Sequence, residues 1–235
     1  VRRAALLLAV LALPALAVPA AAAPARRSAP AARDWSRTVA ATPEGGFRMG
    51  NPAAPVKLVE YGSLTCPHCA AFAREGEPAL VARYVRTGKV SYEFRNYILN
   101  GTDIAASLLA RCSGARGFFP MAASLYATRS QWIDPIARLP QGQREAIAAL
   151  TVGQRLVRLA EVGGLLRIAA RFGVPPARGR QCLSDQAAFD RLGSMEQAGQ
   201  ALGVTGTPTF FLNGRMLDVN EWAAVEPLIR QAVGG

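Results

Sequence analysis

Cys66 and Cys69, separated only by Pro67 and His68, are the residues of this chain best suited to chemistry. So few intervening residues make a small ring, which suits redox exchange better than structural stapling. The apolar run at 56–61 reads as a buried strand, and the spacing over 70–86 reads as a helix. The first sulfur therefore falls at a helix N-terminus. There the unpaired backbone N–H groups and the helix dipole favour a thiolate over a thiol. A low-pKa thiol leaves readily, so such a pair prefers to be reduced and its disulfide is a strong oxidant. Half a metal site, with His68 as third ligand, is the alternative. However, His68 is the only histidine, and a closed zinc site needs four Cys/His ligands at matched spacings. No metal and no cofactor beyond the redox-active disulfide is expected.

The elements that must position this pair follow from patterning. Pro78 inside the helix after Cys69 should kink it, and Gly88 should end it. Residues 89–95 alternate polar and apolar and read as a second strand, completing a right-handed βαβ unit with parallel strands. From 102 to about 176 alanine, leucine and arginine dominate, without β-branched alternation. Helices are expected over 104–113, capped by Thr102 or Asp103, over 118–128, from near 134, and over 154–172. Phe118, Phe119, Tyr126 and Trp132 read as the core of this block. Its arginines Arg155, Arg158, Arg167 and Arg171 read as a solvated face. A helix over 185–202 then leads to Gly206-Thr207-Pro208. Short apolar runs around Asn213-Gly214 signal a hairpin, and a helix over 220–233 closes the chain. The expected class is α/β: a thioredoxin-like fold with a helical insertion between βαβ and αββα halves. The expected parts are 46–101 for the first half, 102–184 for the insertion and 185–235 for the second half.

With 235 residues and half of them hydrophobic, the chain can bury one good core. The net charge of +11 is concentrated at one end: Arg2, Arg3, Arg26, Arg27 and Arg33 face no acid in the first 33 positions. Leaving those five aside, 22 basic residues stand against 16 acidic ones, a surplus of six. There are no Lys/Arg runs with interleaved aromatics, so nucleic-acid binding is not expected. Arg2 and Arg3, the apolar run at 4–18 and the alanines of 20–25 form a secretory signal pattern over 1–25. Cleavage is expected after Ala22 or Ala25, and an uncleaved anchor helix is the alternative. Residues 26–45, rich in Ala, Pro and Arg, read as a disordered tether. Val1 in place of Met reads as an alternative bacterial start, and export then means the periplasm, where disulfides persist. Cys112 and Cys182 complete an even cysteine count. In that compartment a bridge between them is favoured over two buried thiols.

The Cys66-Pro67-His68-Cys69 motif, the exported context, the helical block and Gly206-Thr207-Pro208-Thr209-Phe210 together resemble the bacterial DsbA-type thiol:disulfide oxidoreductases, over residues 45–233. The resemblance implies that Cys66 is an exposed nucleophile forming mixed disulfides and that Cys69 is the buried resolving partner. It implies that Pro67 and His68 tune the potential, with His68 giving a donor or positive charge beside the Cys66 thiolate. Pro208 would be a cis-proline packed against the disulfide, and Thr207 would offer backbone groups to an extended substrate. Glu60, six residues before Cys66, would relay protons for Cys69; a carboxylate in a central strand otherwise costs too much. The implied substrates are unfolded exported polypeptides, and the implied reoxidant is a membrane quinone-linked partner of the DsbB type. Thr207 stands where the best-known oxidases carry Val, which leaves isomerase or reductase chemistry open. The isomerases resembling this fold dimerise through a separate N-terminal domain, whereas only a short tether precedes the first strand here, so a monomeric oxidase is expected. A chaperone-like or metal-binding module without turnover is the reading from another class.

Overall fold

Residues 56–62 form β3 (Val56–Gly62), the strand on which the other elements assemble. Val56, Leu58 and Glu60 share one of its faces, because successive side chains point to opposite sides. β4 (Val90–Asn96) runs parallel beside it, with Leu58 opposite Tyr92 and Glu60 opposite Phe94. β5 (Thr209–Leu212) lies antiparallel on the other side, with Glu60 opposite Phe210 and Tyr61 opposite Thr209. The computed structural model describes residues 33–234. Its sheet has six strands in the order β1-β2-β4-β3-β5-β6, adding β1 (Val39–Ala41), β2 (Phe47–Gly50) and β6 (Arg215–Met216). Asn213 and Gly214, both at positive φ, make the β5–β6 turn that Asn-Gly favours.

The expected tether is folded where it is described. A 3₁₀ turn at Trp35–Arg37 and β1 occupy residues that composition marks as disordered. Trp35 donates its backbone N–H to the Arg86 carbonyl (3.1 Å), and its ring lies where a side chain on Gly88 would collide. β1 then pairs with β2 from Val39–Met49 to Ala41–Phe47. Three residues are too few to show alternation, so the neighbouring strand supplies what the local sequence lacks. The expected signal segment at 1–25 and the first part of the expected tether lie outside the described residues.

Helix α1 (Pro67–Glu75) stops at Gly76, and the chain restarts as α2 (Glu77–Leu80) and a π-helical turn at Val81–Val85. Pro78 thus sits in the first turn of α2, where its missing N–H costs nothing, and the break precedes it. Between β4 and the C-terminal half lie α3 (Gly101–Cys112), α4 (Gly114–Ala127), α5 (Arg129–Ala137), α6 (Gln141–Ala148), α7 (Val152–Val162), α8 (Leu165–Ala170) and α9 (Pro176–Leu183). The single helix expected over 154–172 is divided at Gly163-Gly164, the latter at φ 66°, and α6 was not anticipated. The cap of α3 is Asn100, which accepts from the Asp103 N–H (2.9 Å), and not Thr102 or Asp103. Asp103 is wholly buried instead.

Phe118, Phe119, Tyr126 and Trp132 are buried and lie in the main core, which runs continuously from the sheet into the helices. Each such side chain contributes roughly 1.5–3 kcal/mol by burial, so the helical block and the sheet stabilise one another. A disulfide joins Cys112 at the end of α3 to Cys182 in α9, across a separation of 70 residues. Closing so long a loop is worth about 2–4 kcal/mol, mainly by restricting the unfolded chain. α10 (Gln186–Ala201) covers the opposite sheet face, where Gly199 lets it approach the Tyr61 ring. α11 (Trp222–Ala232) buries Val225 and Ile229 in the main core. Among the described residues no helix is long and apolar enough to cross a membrane.

Candidate active site

The strand register decides which loops meet. The last β3–β5 pair is Tyr61 with Thr209, so the turn leaving β3 and the loop entering β5 face each other. That turn ends in Cys66, and that loop holds Thr207-Pro208, whose peptide bond is cis. Cys66 Sγ lies 3.2 Å from the Thr207 carbonyl oxygen. Cys66 is the N-cap of α1, Pro67 takes the first helical position and Cys69 falls in the first turn. Pro is suited to that position because its φ is already helical and the N–H it lacks would go unused.

The two sulfurs have opposite electrostatic surroundings. A hydrogen bond from the Cys69 thiol is the largest influence on Cys66. With the backbone N–H groups of Cys69 and His68, it outweighs partial desolvation and lowers Cys66 to about 5. Cys69 is wholly buried, and burial, followed by its hydrogen bond to Cys66 and the charges of Glu60 and Cys66, pushes its thiol well above the ordinary value. A helix N-terminus and an apolar interior have divided one dithiol into a thiolate and a thiol.

Glu60 is 1% exposed and accepts a hydrogen bond from the Tyr92 hydroxyl. Burial raises its carboxyl to about 8 against that bond, and the charges of Glu77 and Cys66 push in the same direction as burial. Burial also raises Glu77, at the start of α2, to about 7. A carboxyl near neutrality can both give and take a proton under ordinary conditions, which an exposed carboxylate cannot do efficiently.

One role implied by the resemblance needs correction. Cys66 is only 4% exposed, because it is tucked against the Thr207 carbonyl and its own turn; Pro67 and His68 are the exposed pair. His68 acts on Cys66 through its backbone N–H, while its side chain lines a cavity of about 220 Å³ with Phe72, Glu75, Glu221 and Trp222. The structure therefore brings together Glu60, Cys66, Pro67, His68, Cys69, Thr207 and Pro208. Cys112 and Cys182 are apart from them, bridged within the helical block. Tyr92, Glu77, Asn100 and Arg129 also belong to the surroundings of the site and were not singled out in the sequence, and Asp103 and Tyr126, expected as a cap and as core, belong to them too. Tyr92 could have been found, since it sits on the neighbouring parallel strand with the alternation that faces Glu60. Arg129 carries no such signal.

Comparison with known proteins agrees with this geometry. Residues 42–231 match the family described as Thioredoxin. The crystal structure of protein-disulfide isomerase from Novosphingobium aromaticivorans is 30% identical, with a TM-score of 0.75 over 80% of this chain and 97% of that one. Wolbachia pipientis alpha-DsbA1, at 24% identity and a TM-score of 0.64, covers 80% of this chain and 91% of its own, and shares the fold. A Rickettsia prowazekii (strain Madrid E) protein named "Putative protein-disulfide oxidoreductase" is 30% identical over 168 residues, 71% of this chain and 53% of that protein. The chain spans about half the length of the curated relatives it matches. It belongs to the thioredoxin family.

Proposed function

We propose that this chain is an exported disulfide donor acting on unfolded polypeptides in the periplasm. The observation that carries the reading is the division of one dithiol into a stabilised Cys66 thiolate and a buried Cys69 thiol. Stabilising the thiolate stabilises the reduced protein, which makes the disulfide oxidising. In the reaction a substrate thiolate attacks Cys66 Sγ, the Cys66–Cys69 bond breaks, and Cys69 leaves with the electron pair. Glu60 is the nearest buried acid able to protonate it. A second substrate thiolate then attacks the substrate sulfur of the mixed disulfide and releases the Cys66 thiolate. Two electrons now reside on Cys66 and Cys69, and the substrate holds a new disulfide. A quinone-linked membrane partner of the DsbB type would remove those electrons. Thr207 would align an extended substrate segment beside Cys66, and the protein would act as a monomer.

Isomerase action is the second reading, favoured by Thr207 before Pro208 and by the name of the Novosphingobium relative. Mixing oxidised protein with a reduced, unfolded substrate separates the two. The donor reading expects rapid, stoichiometric loss of substrate thiols as Cys66 and Cys69 become reduced. An isomerase would leave that substrate largely reduced and would act on a scrambled one only after its own reduction.

A further inference from the structure

The turn Ser63-Leu64-Thr65-Cys66, which presents the nucleophile, is buried along its whole length. Within it, the Cys66 N–H donates to the Ser63 carbonyl (3.2 Å), and the Thr65 N–H donates to Ser63 Oγ (3.1 Å). Four further partners of the turn come from the helical block and the residue that caps it. Tyr126 donates its hydroxyl to the Ser63 carbonyl (3.0 Å), and the Leu64 N–H donates to Asp103 Oδ1 (3.0 Å). Asn100 Nδ2 donates to Thr65 Oγ1 (3.1 Å). Arg129, the first residue of α5, donates from both Nε (2.9 Å) and Nη2 (2.8 Å) to the Thr65 carbonyl.

Arg129 differs from its three companions. It is the one cation in the set, and it grips the carbonyl of the peptide bond that leads into Cys66. Two N–H groups converging on one oxygen fix the plane of that peptide, which a single flexible ammonium cannot do. None of the ion pairs among the described residues includes Arg129. Its charge is therefore not cancelled beside the Thr65–Cys66 peptide, whose carbonyl dipole it offsets.

We propose that Arg129 is a positioning residue for disulfide exchange, holding the Thr65–Cys66 peptide so that Cys66 keeps its place at the N-terminus of α1 and its sulfur is held as the anion. On this view the helical block sets the reactivity of the nucleophile as well as covering the sheet. The inference deepens the donor reading and rests on it for the exchange that Arg129 serves, while its effects on Cys66 ionisation and on the redox balance hold for an isomerase as well.

The test uses the full chain with its Cys112–Cys182 bridge intact, comparing the native protein with Arg129→Gln and Arg129→Lys. The ultraviolet absorbance of the reduced thiolate is followed against pH, with Cys66→Ser as the blank, and the Cys66/Cys69 pair is equilibrated with glutathione. The titratable groups around Cys66 are Cys69 and His68 on α1, Glu60 on β3, Glu77 on α2, Tyr92 on β4, Asp103 on α3 and Tyr126 on α4, and all are unchanged in these variants. Arg129→Gln should raise the thiolate midpoint and shift the glutathione equilibrium about tenfold toward the protein disulfide, as a rise of one pH unit requires. Arg129→Lys should move both in the same direction by less, because it keeps the charge and loses the fork. Unchanged midpoint and equilibrium in a folded Arg129→Gln protein would overturn the proposal, even if its thermal stability fell. Should that variant fail to fold, an unchanged midpoint and equilibrium in Arg129→Lys would overturn it. A shifted midpoint in a protein that proves not to donate disulfides would support Arg129 and contradict the donor reading separately.

Discussion

Serine in place of Cys66 should leave the protein almost inert toward disulfides, whereas serine in place of Cys69 should leave a fast nucleophile that stalls as a mixed disulfide. The asymmetry follows from the surroundings of the two sulfurs. Cys66 lies near 5, so at neutral pH it is almost wholly thiolate, and the thiolate is the species that attacks. Cys69 is fully buried and held protonated, so it has neither access nor charge. Serine is the informative replacement for Cys69 because its hydroxyl can still donate to the Cys66 thiolate. The reaction rates of the two variants with a small disulfide at pH 7 should differ by at least about a hundredfold. The Cys69→Ser rate should remain high down to about pH 5 and fall below it, as the thiolate is protonated. Comparable rates for the two variants would contradict the assignment of nucleophile and resolving thiol.

The second large effect concerns Glu60. Its carboxyl is raised to about 8 in the folded protein, against an ordinary value of 4.5. The native state therefore binds a proton more tightly than the unfolded chain does. Stability is full below about pH 4.5 and is lost as pH rises through the window from there to about 8. The loss is on the order of a few kcal/mol. Glu60→Gln removes the ionisation while keeping the shape and a hydrogen-bond partner for Tyr92. The variant should show a flatter stability profile by urea unfolding across that window, and should be the more stable protein near its alkaline end. It should also be slow where Cys69 must lose its proton. Release of glutathione from a Cys66–glutathione mixed disulfide should fall about a hundredfold, the usual scale for losing a general base. Parallel stability profiles, or unchanged glutathione release at pH 7, would remove Glu60 from the mechanism.

The candidate site of this protein was legible in its sequence because its parts are written locally. Cys66 to Cys69 are adjacent in the chain, and the strand before them and helix after them are set by short-range patterning. Glu60 was implied by the family resemblance, supported by the cost of a carboxylate in an apolar strand. Thr207 and Pro208 carry a distinctive local motif, and the register of β3 with β5 brings them to Cys66. The supporting contacts were not legible, since they depend on approaches the chain does not encode locally. Arg129 is an ordinary surface-type residue until α5 delivers it to a carbonyl 64 positions earlier in sequence. Asp103 looked like a cap because it begins a helix, but Asn100 takes that place and Asp103 turns inward to hold Leu64. β1 was invisible because a three-residue strand exists only through its partner. The division at Gly163-Gly164 was passed over because a helical pattern continues on both sides.

The measurement that bears most directly on disulfide donation is the reduction potential of the Cys66/Cys69 pair, obtained in glutathione buffers with Cys112→Ser/Cys182→Ser protein so that one redox couple is observed. A thiolate held as strongly as the geometry indicates places the potential toward the oxidising end of the family, near the value of about −120 mV for DsbA. A value near that of thioredoxin, about −270 mV, would mean that the disulfide is the favoured form, and this chain would then be a reductant and not a donor.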